Sequence, residues 1–154
     1  MENEMLNFLS QAKLRGLCTN YTKRWESAES KKELLDIALD ANGMPYVCKC
    51  VAEGWGITPE YIAQSFKGYL NGRYIHSGNG YTSAIYVGDG NVGIVSTAAI
   101  LIDCKGVVSS NRMCELYIAN SDVELIGAGT FKVHAYNSRV HFECDVKAEI
   151  ISNE

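Results

Sequence analysis

The chain has 154 residues, of which 47% are hydrophobic and 21% charged, and a formal net charge of −4. That balance excludes a disordered or collagen-like polymer, and a chain of this length buries roughly two-thirds of its unfolded surface, enough to hold a core without metal or disulfide. Residues 1–74 carry nine Lys/Arg and nine Asp/Glu, whereas residues 75–154 carry five against nine, so the excess acid argues against a polyanion-binding surface in the second half.

The opening residues, Met1 to Leu9, lack the basic stretch and the continuous apolar stretch of a secretory signal. The longest apolar run, Ala98 to Ile102, suits a buried strand and is far too short for a membrane span. A soluble, cytoplasmic protein is expected. The six cysteines, Cys18, Cys48, Cys50, Cys104, Cys114 and Cys144, then read as reduced thiols packed like small hydrophobes.

Residues 1–74 read as a helical domain. From Glu4 to Arg15, Met5, Phe8, Leu9 and Ala12 form an amphipathic stripe that Gly16 ends. A second helix runs from about Asn20 to Ser27, with Tyr21 and Trp25 one turn apart. Ser30 and Glu33 form a capping box for a third, whose stripe of Leu34, Ile37, Ala38 and Ala41 closes at Asn42-Gly43. Pro45 suits the first turn of a fourth helix reaching about Glu53, and Thr58-Pro59-Glu60 opens a fifth with an N-cap, an N1 proline and a first-turn acid. Ala52, Gly56 and Ile62 in this last pair have the spacing of a helix-turn-helix, so a DNA-binding regulator is an alternative reading. Glu60 to Gly68 offers only Gln64, Ser65 and Lys67 for base edges, so nucleic acid is a disfavoured partner.

Glycine clusters between Gly78 and Gly93, and residues 75–93 read as a linker or lid; the stretch does not join a strand to a helix as a phosphate loop would. Residues 94–154 repeat at about seventeen residues, with Asp103-Cys104, Asn120-Ser121 and Asn137-Ser138 as corners. That period stacks Gly106, Val123 and Val140; Val108, Leu125 and Phe142; Ala99, Leu116, Val133 and Ile150; and Leu101, Ile118 and Ala135. Alternation puts Glu115, Tyr117, Glu124, Lys132, His134, Arg139, His141 and Glu143 on the opposite, solvated face. A rung of this size cannot bury its apolar face alone, so the expected fold is α+β, a helical domain followed by a short β-solenoid. An antiparallel meander or sandwich is the alternative, since each corner is also an acceptable hairpin turn. An uncapped last strand, Ala148 to Ser152, points to a closed homo-oligomer.

Chemistry is sparsely signalled. Cys48 and Cys50 point roughly 200° apart around a helix, and the chain has no Cys-x-x-Cys or His-x-x-x-His pair, so neither metal nor cofactor is expected. His134 and His141 lie near Glu143 in the expected register, and Asp103, Glu115, Glu124, Glu143 and Asp145 allow a carbohydrate-active β-helix as a further alternative. Two- and three-residue turns leave little from which to build a substrate groove, so no catalytic residue is assigned and an enzyme is the less favoured reading. The aromatic run Tyr61, Phe66, Tyr69, Tyr74, Tyr81 and Tyr86 marks the junction of the two halves. Trp55 before it and Arg73, Tyr74, His76 and Tyr81 within it form the candidate ligand site, in which rings stack a planar group and Arg73 holds a phosphate or carboxylate. The other reading of this run is an interdomain core.

Several segments, Ala38-Leu39-Asp40-Ala41-Asn42-Gly43, Ala52 to Ala63, Asn71-Gly72-Arg73-Tyr74, Gly80 to Tyr86 and Cys114 to Ile118, resemble a group of uncharacterised proteins of gut Bacteroides-type bacteria and their phages. The resemblance covers most of the chain and implies a mobile-element setting inside a bacterial cell, with no catalytic residue to carry over. The repeat scaffold, the aromatic junction and the missing catalytic geometry suggest a non-catalytic oligomeric binding protein, and the mobile-element setting suggests counter-defence by capture of a small nucleotide-like signal or a host protein.

Overall fold

The computed structural model describes residues 19–55 and 57–153. The helix expected over Glu4 to Arg15, Cys18 and the Gly56 of the proposed helix-turn-helix lie outside the described residues. Four helices, α1 (Thr19–Ser27), α2 (Lys31–Ala38), α3 (Gly43–Glu53) and α4 (Pro59–Ser65), precede ten strands.

Local chemistry sets the helix ends. Ser30 accepts from the Glu33 N–H at 3.1 Å, and the Glu33 carboxylate reaches back to the Glu29 N–H at 2.9 Å, one residue earlier than in an ideal capping box. α2 stops at Ala38, short of the expected Ala41, because the Asp40 carboxylate accepts from the N–H groups of Asn42 and Gly43 at 2.9 and 2.7 Å and starts α3 two residues before Pro45. Gly54 ends α3 with φ 72°, and Thr58 caps α4 by accepting from the Tyr61 N–H.

The strands are β1 (His76–Ser77), β2 (Thr82–Val87), β3 (Val92–Gly93), β4 (Ala98–Ile102), β5 (Lys105–Ser109), β6 (Met113–Ala119), β7 (Asp122–Ile126), β8 (Thr130–Tyr136), β9 (Arg139–Phe142) and β10 (Lys147–Asn153). They form a six-stranded sheet, β1-β2-β4-β6-β8-β10, and a four-stranded sheet, β3-β5-β7-β9. Every pairing is parallel except β1 with β2, and Leu116 lies beside Val133 in the expected register. The solenoid is therefore the fold. Asp103, Asn120 and Asn137 adopt φ of 56°, 52° and 51°, a left-handed step that swings the chain from one sheet to the other where a hairpin would return it to the same sheet. The hydroxyls of Ser121 and Ser138 accept the N–H groups of Cys104 and Ser121, so each corner is bonded to the rung before it.

Residues 82–93, expected within a linker or lid, are instead the first rung: β2 pairs with β4 and β3 with β5. Two of the glycines that suggested a lid serve turns, with Gly80 in the β1–β2 hairpin and Gly88 at the corner after β2, at φ 78° and 72°. A second difference concerns the outer face of the six-stranded sheet, expected to be wet. α3 lies across β4, β6 and β8, and Ile100, Ile102, Tyr117, Ala119 and Tyr136 join Leu35, Leu39, Val47, Cys48 and Val51 in one core. Tyr117 is accordingly 8% exposed. A separate core fills the space between the two sheets with Leu101, Leu116, Ile118, Leu125, Phe131 and Val133. Among the described residues, no helix is long and apolar enough to cross a membrane.

Candidate functional site

The five residues expected at the junction do not form one pocket. Tyr74 and His76 converge on Asp36 of α2: the Tyr74 hydroxyl donates to Asp36 Oδ1 at 2.5 Å and His76 Nδ1 lies 3.0 Å from the same oxygen, with Lys32 Nζ 3.1 Å from Oδ2. Tyr81 packs against His76, with ring centroids 6.1 Å apart. Trp55 sits elsewhere, against the helical core with Lys49 over its ring, and Arg73 is exposed in the turn before β1. The Asp36 cluster is a strut that ties α2 to β1, since each of its polar groups already has a partner.

Burial by itself would raise the Asp36 pKa, but the hydrogen bonds from Tyr74, Lys32 and His76 outweigh it and hold the carboxyl below its ordinary 3.8. A depressed folded-state pKa means that the ionised strut contributes stability above the unfolded value and loses that contribution as pH falls through the folded one. Asp36→Asn is therefore expected to cost about 1–2 kcal/mol near neutrality. In urea unfolding followed against pH, the gap between variant and parent should stay constant above about pH 5 and close below about pH 4. A gap that persists unchanged at low pH would assign the loss to packing and not to the charge.

On the other side of Tyr81 lies a cleft of about 420 Å³. Ala41 and Met44 at the start of α3 form one wall and the β1–β2 hairpin with Tyr81 a second; the floor is the outer face of β6 and β8, with Met113, Glu115, Tyr117 and Lys132. Most of this lining is apolar, and Met113 is 76% exposed. At the floor, His134 Nε2 lies 2.7 Å from Glu115 Oε2, and its ring stacks on Tyr117 at 4.4 Å and 5° between planes. A carboxylate only accepts, so His134 carries its proton on Nε2. Burial first, and then the charge of Glu115 and a hydrogen bond to it, push the Tyr117 hydroxyl up to about 12. The site thus holds its carboxylate on an imidazole that is itself stacked on a phenol. Two wider hollows, about 450 and 720 Å³, are polar and share Asn137, Ser152 and Asn153 in their linings; Lys49, Ala52 and Glu53 of α3 wall one side of the wider one.

The remaining chemical residues are dispersed. His134 and His141 were expected to share the neighbourhood of Glu143, yet β8 and β9 belong to different sheets, and His141 pairs with Asp122 at 3.1 Å. Glu115 stands on one sheet and Glu124 on the other, Asp103 holds a corner, and Glu143 and Asp145 occupy the β9–β10 turn, so the carboxylates do not flank a common groove. Cys48, Cys50, Cys104 and Cys114 are buried, while Cys144 is exposed. Burial raises the thiols of Cys104 and Cys114 to about 11 and about 12, which keeps them protonated and unreactive at neutral pH. No group of three or more potential metal ligands occurs among the described residues. α4 is seven residues long with Tyr61 and Ile62 buried, and α3 is packed on the sheet; among the described residues there is no DNA-binding helix pair.

Comparison of the chain with protein-family models, curated proteins and solved structures finds no match. Sequence reasoning placed Glu115, Tyr117, Lys132 and His134 on the correct face of their strands and missed the wall that α3 and the hairpin build over them. The one available signal was Met113, an apolar residue in a column continued by Thr130 and Lys147.

Proposed function

We propose that the protein is a non-catalytic binding protein that takes a small molecule in the cleft between α3, the β1–β2 hairpin and the six-stranded sheet. One observation carries this reading: a concave, mostly apolar site on a rigid parallel sheet, whose carboxylate is already held by His134. A general base needs a free lone pair aimed at substrate, and the Glu115 oxygen beside His134 is already taken by that donor. Sequestration suits such a site, in keeping with the mobile-element setting that the sequence resemblance implies. Self-association belongs to the same reading: Phe142 and Ile150 are 40% and 36% exposed on the outermost described rung, and β10 has an unpaired edge among the described residues.

Ala41 is exposed at the mouth of the cleft, so Ala41→Trp fills the opening without entering either core. In calorimetric titrations against aryl carboxylates and against cyclic and ADP-ribose-type nucleotides, the parent protein is expected to give binding heat with at least one class. The variant should give none at an unchanged melting temperature. No heat from any compound with the parent protein would remove the small-ligand reading and leave a protein partner. Native mass spectrometry of the same sample reads oligomer mass and any copurifying molecule.

A further inference from the structure

Resting on that cleft reading, we propose that the ligand is a small amphiphile with a single carboxylate, its aryl or short alkyl body between Met44, Tyr81 and Met113 and its anion held by Lys132. Lys132 lies beside Glu115 in the β6–β8 register. The ion pair that this register allows does not form: Glu115 is bonded instead to His134 at 2.7 Å. Among the described residues, Lys132 has no hydrogen-bond or ion-pair partner. Glu149 is its neighbour on the far side, on β10 and outside the cleft, and forms no ion pair with it. The site therefore pairs its acid internally and leaves its ammonium uncommitted, which is the arrangement an anion requires.

The number of charges follows from what else is available. A phosphate needs several converging donors, and the start of α3, which borders the cleft, has none to spare: Asp40 Oδ1 takes the N–H groups of Asn42 and Gly43, and the Asp40 carbonyl takes that of Met44 at 3.0 Å. One ammonium matches one carboxylate. The two methionines, unbranched and polarizable, adapt to a ring or to a chain, and the edges of Tyr81 and Tyr117 favour a flat body.

The probes are 2-naphthoate and its uncharged counterpart 2-naphthamide, titrated calorimetrically into the full chain at low and high salt. The parent protein is expected to bind the carboxylate about tenfold more tightly than the amide, with only the carboxylate weakened by salt. Lys132→Gln, at an exposed position, should abolish that preference and leave amide binding unchanged, while Ala41→Trp should remove both. Equal affinities in the parent protein, or a preference that survives Lys132→Gln, would overturn the carboxylate assignment and leave the cleft intact. Binding that survives Ala41→Trp would place the ligand elsewhere and overturn both readings. No binding of either probe to the parent protein would overturn the ligand class proposed here, and the nucleotide titrations above would then decide whether the cleft reading stands.

Discussion

Phe131→Ala is expected to lower the free energy of unfolding by about 3–5 kcal/mol, the range for deleting a buried ring. Phe131 is 1% exposed between the two sheets, and its neighbours in the column are Cys114 on β6 and Ala148 on β10. Both are small, so neither can swing into the space the ring vacates, and the cavity persists. Phe142, beside Leu125 on the outermost described rung and 40% exposed, provides the contrast: Phe142→Ala should cost about 1 kcal/mol or less. Denaturant unfolding gives the comparison directly, with the midpoint falling and the slope unchanged because the six-stranded sheet is shared by both cores and couples them. A loss for Phe131→Ala no larger than that for Phe142→Ala would mean that the solenoid interior is not the close-packed core described above.

Gly106→Ala is expected to be nearly as severe, at about 2–4 kcal/mol, for a backbone reason and not a packing one. A Cβ at Gly106 would lie 1.5 Å from the Gly90 carbonyl oxygen, a main-chain atom that cannot rotate away. The approach is close because the first rung is short. Val92 pairs with Val108 sixteen residues on and Ser83 with Ala98 fifteen on, against seventeen in the later rungs, so the corner holding Gly90 is drawn over β5. Val123 and Val140 fill the same column one and two rungs later, so the glycine answers to that corner alone. Gly93→Ala is the matched control, since its Cβ would meet only the Ser109 hydroxyl at 3.7 Å, and it should leave stability within about 0.5 kcal/mol. Equal midpoints for the two variants would show that the Gly90 corner yields freely.

The corner glycines show where sequence reasoning stopped. A run from Gly78 to Gly93 carries the composition of a mobile connection, and its spacing to the next rung is too irregular for the seventeen-residue period to extend back into it. The later rungs were legible because each repeats the same columns, and stacking identical positions is what a parallel solenoid does. The cap at Ser30 and the proline start at Pro59 were legible for a different reason: both act over three or four residues, within reach of local pattern.

The candidate site divides in the same way. Of the residues expected at the junction, Tyr74 and His76 do meet, with Tyr81 against His76, but the common partner of Tyr74 and His76 is Asp36, nearly forty residues earlier in the chain, and no local signal marks it. Alternation along β6 and β8 determined by itself that Glu115, Tyr117, Lys132 and His134 face outward, because side chains in a strand must alternate. Whether outward means solvent is decided only by what packs there. α3 lies over three strands of that face and buries Tyr117, its first turn faces the β1–β2 hairpin across a gap, and the gap is the cleft. Periodicity fixes the direction of a side chain relative to its own strand; the environment it meets depends on contacts between elements far apart in the chain, and those exist only once the helices have docked on the sheet.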